Sequence, residues 1–255
     1  MFSMNPDTFN LIIASWIGLG AVIFIVLQFI TAPYGRHSRR DWGPSIPNRV
    51  AWVLMELPSL VVFLLAFLLA PDGVQPVTWI FLGLFAFHYL NRSLIYPLRT
   101  HTAGKKMPMV VALMAVCFNL VNGTLNGVWF SSFAFEYQWS WLTDPRFIIG
   151  LALWLAGVLI NWWSDQILLD LRKGGRKGYY IPEGGMFRWV SCPNFFGEII
   201  EWMGFALLTW SPAALAFALW TFFNLVPRAM DHHKWYRSNF PDYPANRKAV
   251  FPGIL

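Results

Sequence analysis

The sequence predicts an all-α, polytopic membrane protein with seven transmembrane helices, its N-terminus outside and its C-terminus in the cytoplasm. Of the 255 residues, 56% are hydrophobic and only 13% are charged, whereas soluble domains carry about 25% charged residues. The apolar residues form seven stretches of spanning length. The basic residues are concentrated in alternate connections between these stretches, as the topology of a multi-pass protein requires.

Each apolar stretch approaches or exceeds the roughly 20 helical residues that cross the hydrocarbon core. The stretches are residues 10–32, 50–70, 77–97, 108–132, 147–168, 194–210 and 213–229. Ser211-Pro212 divides the last two, and a proline favours the start of a new helix. The two pieces together exceed one span, so two helices are favoured over one kinked helix. Because no internal repeat or linker is present, residues 1–255 are predicted to form a single domain.

The distribution of charge predicts the orientation. The connections 33–49, 98–107 and 169–193 and the tail from residue 228 hold every basic residue except Arg92 and Arg146. The positive-inside rule places these segments in the cytoplasm. The net charge of +6 then reflects topology and contact with anionic membrane lipids, which we favour over nucleic acid binding.

Two polar residues inside predicted spans are candidate catalytic groups, because ionisable groups in a membrane are costly and mark function. Glu56 lies in the second span, where a protonated carboxyl can donate a hydrogen bond to a carbonyl oxygen; the alternative is a structural ion pair with Arg92 or Arg49. Tyr89 lies in the third span as a second potential donor, or as an aromatic residue at the membrane interface.

Amides and acids recur along two further spans. Asn119, Asn122 and Asn126 form one stripe of the fourth span, which indicates either a polar cavity wall or helix packing through amides. In the stretch "CPNFFGEIIEWMGFALLTW", Asn194, Glu198 and Glu201 share one helical face. We expect Glu198 to face a cytoplasmic ligand, whereas Glu201 lines the same cavity or pairs with a neighbouring helix.

The cytoplasmic segments "DLRKGGRKGYYIPEGG" and "RAMDHHKWYRSNFPDYPANRKAVF" mix basic and aromatic residues. This mixture is explained equally well by binding of a phosphate-bearing ligand and by basic residues that set the membrane topology. The sequence has no glycine-rich dinucleotide fingerprint, because Gly18-Leu19-Gly20 lies within the first span with no strand before it. Helices and loops would therefore have to hold any dinucleotide. The only histidine pair is the adjacent His232-His233, and no metal site is predicted.

The motifs "VLMELPSL", "HYLNRSLIYP", "INWWSDQILLDLRK", "NFFGEIIEW" and "DYPANRKAVFP" resemble those of the steroid 5α-reductases, the membrane 3-oxo-5α-steroid 4-dehydrogenases. The resemblance runs from about Tyr34 to the C-terminus. The "NFFGEIIEW" motif is partly shared with isoprenylcysteine methyltransferases and sterol-ring reductases. The motif "ELPS" together with "HY" favours the reductase branch. The segments "YYIPEGG" and "WVSCPNF" are typical of a bacterial member, whose membrane would be the cell inner membrane.

The resemblance implies an NADPH-dependent oxidoreductase that passes a hydride to C5 of a 3-oxo-Δ4-steroid. Glu56 and Tyr89 match the acid and the phenol that hold the 3-keto oxygen. Trp52, Met55 and Met114 would line the substrate pocket. Arg172 and Arg228 would contact phosphates, and Asn194 and Glu198 the nicotinamide end. The full set of implied cofactor residues is Tyr34, Arg36, Asn161, Asp165, Arg172, Tyr179, Asn194, Glu198, Arg228, His232 and Tyr236.

Three departures from the animal members bear on the ligands. Met55 replaces a glutamine, Met114 replaces an arginine of the fourth span, and Tyr180 replaces an arginine before "IP". The first two leave a steroid or another flat enone lipid open as substrate, and the third weakens the case for the 2′-phosphate of NADPH. The alternatives are a related sterol or enoyl lipid reductase, or a methyltransferase using S-adenosylmethionine. No obligate protein partner is predicted.

Overall fold

The computed structural model describes residues 5–37, 39, 41–70, 73–100, 102, 104–133, 137–176 and 178–255. Arg40 and Lys177, two of the basic residues that carry the topology prediction, lie outside this range. The described chain is helical, which confirms the predicted all-α class. Its α-helices are α1 (Pro6–Val26), α2 (Asn48–Leu68), α3 (Thr78–Leu90), α4 (Tyr96–Arg99), α5 (Met109–Val128), α6 (Pro145–Asp170), α7 (Pro193–Thr209) and α8 (Pro212–Asn239).

Five helical segments of the described chain are long and apolar enough to cross a membrane. They are Pro6–Val26, Asn48–Leu68, Met109–Phe133, Pro145–Asp170 and Pro212–Asn239. The predicted third span is divided into α3, a π-helical turn at Asn91–Ile95 and α4. Pro97 accounts for the division, because its ring would clash with the carbonyl four residues earlier in a regular helix. The predicted sixth span is α7, which has 17 residues.

The predicted break at Ser211-Pro212 is present. Trp210 ends α7 in the left-handed conformation, with φ 47° and ψ 36°. The Ser211 side chain then accepts a hydrogen bond from the Ala214 amide at 3.3 Å and caps α8. The last predicted span, residues 213–229, forms the first part of α8, which continues to Asn239. The residues of α8 beyond 229 are mostly polar, but one of them, Tyr236, is buried. Burial of its ring stabilises this part of the helix.

The chain divides into two compact units. The first contains the chain up to Ile13 and Ala32–Phe147. In it, α5 packs closely on α2, since a Cβ added at Gly123 would lie 2.5 Å from the Ser59 carbonyl oxygen. Two short strands, Ser45–Pro47 and Lys106–Pro108, pair antiparallel directly before these two helices.

The second unit contains Ala14–Thr31 and Ile148–Leu255. Its core pairs α6 with α7 through glycines, and α7 with α8 through aromatic rings. Trp202 on α7 and Phe217 on α8 have ring centroids 4.2 Å apart. The end of α1 joins through Trp16, whose carbonyl accepts a hydrogen bond from the Trp220 indole at 2.9 Å.

Candidate active site

In the first unit, the Tyr89 phenol lies in a hydrogen-bonded cluster of amides. Its hydroxyl donates to Asn119 Oδ1 at 3.0 Å and accepts from Asn122 Nδ2 at 3.2 Å. Tyr89 is only 2% exposed. It is therefore an internal polar group and not an aromatic residue of the membrane interface, the alternative left open by the sequence.

The same amides connect to α2, the helix that carries Glu56. Asn119 Nδ2 donates to the Met55 carbonyl at 2.7 Å, and Asn122 Nδ2 donates to Ser59 Oγ at 3.3 Å. Glu56 follows Met55 directly and is half-buried. The amide stripe of α5 is thus a polar connection between the helices of the two candidate catalytic residues. Sequence reasoning found the stripe without deciding its role, and it missed Ser59.

The candidate substrate residues separate in the structure. Trp52 and Met55 pack with Tyr34 in a cluster that also contains Met107 and Val111. Met114 is not part of that cluster and is 53% exposed on α5. The structure therefore brings Tyr34, predicted as a cofactor residue, together with two of the predicted substrate residues. Arg36 lies in the same unit, half-buried in a short turn at Gly35–His37.

Arg92 packs against two aromatic rings, Trp52 and Tyr96, which are also in edge contact with each other. Its guanidinium carbon is 4.9 Å from the Trp52 ring centroid and 5.1 Å from that of Tyr96. The π-helical turn presents Arg92 toward α2, and such turns are frequent at functional sites. The other cation considered as a partner of Glu56, Arg49, donates to the carbonyls of Pro97 and Thr100.

In the second unit, four polar residues predicted at the cofactor site meet between α6 and α7. Asn161 Nδ2 donates to the Asn194 carbonyl at 3.0 Å and lies 3.4 Å from Glu198 Oε2. Asn194 Nδ2 donates to Asp165 Oδ1 at 3.1 Å. Asn161 and Asp165 are buried, whereas Asn194 and Glu198 are half-buried. Glu201, one turn further along α7, is 1% exposed.

Two arginines of this unit pack on aromatic rings. The Arg172 guanidinium lies 5.6 Å from the ring of Tyr179, which is itself in edge contact with Trp235. The Arg228 guanidinium lies 5.2 Å from the Phe195 ring, and its Nη1 donates to Asn224 Oδ1 at 3.0 Å. Arginine is suited to such sites because its planar group stacks on rings and still offers N–H donors to phosphate.

The remaining predicted residues are on α8. The His232 ring lies 5.7 Å from Phe195, and the buried Tyr236 ring stacks on Tyr243 at 5.2 Å. Tyr243 in turn lies 2.6 Å from Ser191 Oγ, which is also 2.7 Å from His233 Nδ1. Sequence reasoning missed Ser191 and Tyr243, since the pair is separated by 52 residues and no local pattern links it.

Comparison with known proteins identifies the family of the chain. Residues 105–255 match a family model described as 3-oxo-5-alpha-steroid 4-dehydrogenase. The steroid 5-alpha-reductase DET2 of Solanum lycopersicum is 44% identical to the chain, over 99% of both proteins. The 3-oxo-5-alpha-steroid 4-dehydrogenase 1 of Bos taurus is 44% identical over 93% of both, and that of Macaca fascicularis is 46% identical over 87% of this chain and 84% of the relative.

The chain belongs to the 3-oxo-5-alpha-steroid 4-dehydrogenase family. Membership makes this dehydrogenase an oxidoreductase that acts on CH–CH groups. The five long apolar helices among its described residues indicate an integral membrane protein. The chemistry of the α6–α7 residues fits a nicotinamide cofactor. Amides donate and accept hydrogen bonds, and carboxylates accept them, so together they can bind a carboxamide and ribose hydroxyls.

Proposed function

We propose that the chain reduces the Δ4 double bond of a 3-oxo-Δ4-steroid, or of a similar flat enone lipid, with NADPH. The observation that carries this proposal is the buried Tyr89 phenol, which is tied through Asn119 to the backbone directly before Glu56. An acid and a phenol on helices joined in this way suit the recognition of one carbonyl oxygen. The names of the relatives support a steroid as the substrate.

Glu56 and Tyr89 would donate hydrogen bonds to the 3-keto oxygen. Polarisation of this carbonyl draws electron density from the conjugated double bond and leaves C5 electron-poor. As C5 is reduced, negative charge develops on the oxygen as an enolate. The same two donors then stabilise that charge more strongly than they stabilise the neutral ketone. Protonation of C4 completes the reduction.

NADPH supplies the hydride when it is bound. Asn161, Asp165, Asn194 and Glu198 would hold the nicotinamide end through their side-chain amides and carboxylates. Arg172 and Arg228 would contact phosphate oxygens, as guanidinium groups do in other phosphate sites. Tyr179, His232 and Tyr236 in the second unit, and Tyr34 and Arg36 in the first unit, stay predicted cofactor residues.

We also propose seven spans, with α3 to α4 and α7 crossing the membrane in addition to the five longest helices. The N-terminus would be outside and the C-terminus cytoplasmic, and the whole chain would act as one reductase domain. For a bacterial protein this membrane is the cell inner membrane. Single cysteines placed at Ser140 and Ser238, in a background without Cys117 and Cys192, test the orientation. A membrane-impermeant maleimide added to intact cells should label the first and not the second.

The activity is tested with purified protein, NADPH and a 3-oxo-Δ4-steroid. Wild-type protein should form the saturated 3-ketone. Tyr89→Phe removes a donor and should lower kcat by about 100- to 1,000-fold, the range for loss of one oxyanion donor. Glu56→Gln replaces the carboxyl O–H by a weaker amide N–H donor and should lower kcat by a smaller factor. Glu183→Gln, which changes an exposed acid, is the matched control. Full turnover in both Glu56→Gln and Tyr89→Phe would refute the proposed carbonyl clamp.

The choice of cofactor is tested by thermal melting in detergent with each candidate added. NADPH should raise the melting temperature, because a ligand that binds only the folded state stabilises it. Stabilisation by S-adenosylmethionine and not by NADPH would instead identify a methyltransferase. NADH as effective as NADPH would show that Arg172 and Arg228 do not select the 2′-phosphate.

A further inference from the structure

We propose that Asn119 and Asn122 are positioning residues for Tyr89. In this proposal the Asn119 oxygen accepts the hydrogen bond of the phenol until the substrate oxygen takes its place as the acceptor. This inference rests on the proposed function, which uses Tyr89 as a donor to the substrate. It adds two residues and a direction of hydrogen bonding that the reaction itself does not specify. All of these residues lie in the first unit.

The Tyr89 phenol makes two hydrogen bonds to the amides of α5. A phenol has one proton to donate and also accepts hydrogen bonds on its oxygen. In the structure the proton goes to Asn119 Oδ1 at 3.0 Å, and the oxygen receives a hydrogen bond from Asn122 Nδ2 at 3.2 Å. The donor that the reaction needs is therefore already committed to Asn119, and a substrate oxygen must compete for it.

The same two amides also form hydrogen bonds with α2. Asn119 Nδ2 donates to the Met55 carbonyl at 2.7 Å, so the amide that accepts from Tyr89 also holds the residue before Glu56. Asn122 makes a second connection to α2 through Ser59 Oγ at 3.3 Å. The two amides of α5 consequently fix the helix of the acid and the helix of the phenol to a common support.

Both amide side chains are buried. Asn119 is 4% exposed and Asn122 is 2% exposed, so water does not compete for these hydrogen bonds. Chains of buried hydrogen bonds polarise one another. The hydrogen bond that Asn122 donates to the phenol oxygen therefore makes the O–H a stronger donor. Asn122 strengthens the donor, and Asn119 gives it a fixed resting direction.

The hydrogen bond of the phenol passes from the Asn119 oxygen to the substrate oxygen, and this exchange stabilises the transition state more than the bound ketone. Asn119 offers a neutral amide oxygen, whereas the substrate oxygen gains negative charge during reduction. A phenol proton is held more strongly by the more negative oxygen, so the exchange becomes more favourable as charge develops. The contribution of Asn122 should therefore appear mainly in kcat, because it is realised chiefly in the transition state.

The kinetic test uses Asn122→Leu, which removes the amide at similar volume. We expect kcat to fall about tenfold, the size of one neutral hydrogen bond, with KM changed less than about twofold. In a Tyr89→Phe background the same substitution should change kcat less than about twofold, because a residue that acts through Tyr89 loses its effect without the phenol. Thr124→Val, at an exposed position of the same helix, is the control. Asn122→Ser replaces the leucine variant if the latter does not fold.

The second test does not depend on turnover. Incorporation of 3-fluorotyrosine at position 89 gives a ¹⁹F resonance that responds to hydrogen bonds at the phenol. Asn119→Leu and Asn122→Leu, or their serine counterparts, should each move this resonance, and Thr124→Val should not. A resonance that stays in place in both amide variants overturns the inference.

The two proposals fail in different ways. If wild-type protein does not reduce a 3-oxo-Δ4-steroid, the proposed function fails and this inference fails with it. If wild-type protein is active but Asn122→Leu retains full kcat, or loses as much in the Tyr89→Phe background as in the wild type, only the positioning role is overturned.

Discussion

Gly197 on α7 lies so close to α6 that a Cβ added there would be 2.5 Å from the backbone nitrogen of Asn161. Gly157 and Gly150 on α6 and Gly204 on α7 approach the opposite helix in the same way. This close approach lets the Asn161 side chain reach the Asn194 carbonyl. The glycine contact and the polar residues proposed for the cofactor are therefore parts of one helix pair.

Gly197→Ala should separate α6 and α7. The neighbouring atoms are backbone atoms that cannot rotate away, so we expect a loss of about 1–3 kcal/mol in the free energy of unfolding. The hydrogen bond from Asn161 to Asn194 should lengthen, and the dissociation constant of NADPH should rise. Thermal melting in detergent and a cofactor titration measure both effects.

Gly18→Ala is the control for that experiment. Gly18 lies on α1, and a Cβ added there has no atom within 4 Å. This substitution should leave cofactor binding unchanged and should slightly favour the helix, because alanine has the higher helix propensity. Equal effects of the two alanines would mean that close packing at Gly197 does not matter.

Asn161→Asp should weaken cofactor binding through charge. The substitution removes the N–H donor to the Asn194 carbonyl and places a carboxylate beside Glu198 and Asp165. Like charges at this distance repel, so the amide geometry should be lost. We expect the dissociation constant of NADPH to rise at least about tenfold, the effect of about 1.4 kcal/mol. Asn239→Asp, at an exposed position, should leave the dissociation constant of NADPH unchanged. If Asn161→Asp also leaves this constant unchanged, Asn161 is not part of the cofactor site.

Ser191→Ala should loosen the C-terminal segment. Ser191 Oγ is shared by His233 Nδ1 and the Tyr243 hydroxyl, and Ser191 also contacts the Lys248 carbonyl through its amide and its hydroxyl. Alanine leaves the buried Tyr243 hydroxyl and the half-buried His233 ring without this partner, which costs about 1–3 kcal/mol. Thermal melting should show the loss, and the exposed Ser238→Ala should not. An unchanged melting temperature would show that water replaces the hydroxyl.

Asp144→Asn should give a pH-dependent loss of stability. The Arg146 side chain and then its backbone N–H donate to the Asp144 carboxylate and hold its pKa at about 2, below the ordinary 3.8. A lowered pKa in the folded protein means that this stabilisation is full above about pH 4 and is lost as the pH falls toward 2. The melting temperatures of wild type and variant should therefore differ at neutral pH and converge in acid. A constant difference across this range would contradict the assignment.

The sequence by itself determined the class of the protein and much of its chemistry. Apolar runs of spanning length can satisfy their backbone only as helices in a membrane, so the positions of α2, α5 and α6 follow to within a few residues. The first helix was placed less well, because α1 ends at Val26 and not at residue 32. The turn at Ser211-Pro212 could be predicted because the proline affects only the backbone of adjacent residues. The motifs around Glu56 and Asn194 were sufficient to indicate the family.

Only the tertiary structure decided which polar groups face one another. The stripe of Asn119, Asn122 and Asn126 was visible as a helical period, but the choice between packing and a site depends on Tyr89, 30 residues away from Asn119. Likewise, α8 continues past residue 229 because Tyr236 is buried against Tyr243. Helical periodicity depends on near neighbours, whereas a buried hydrogen bond depends on how distant segments pack, which no local pattern encodes.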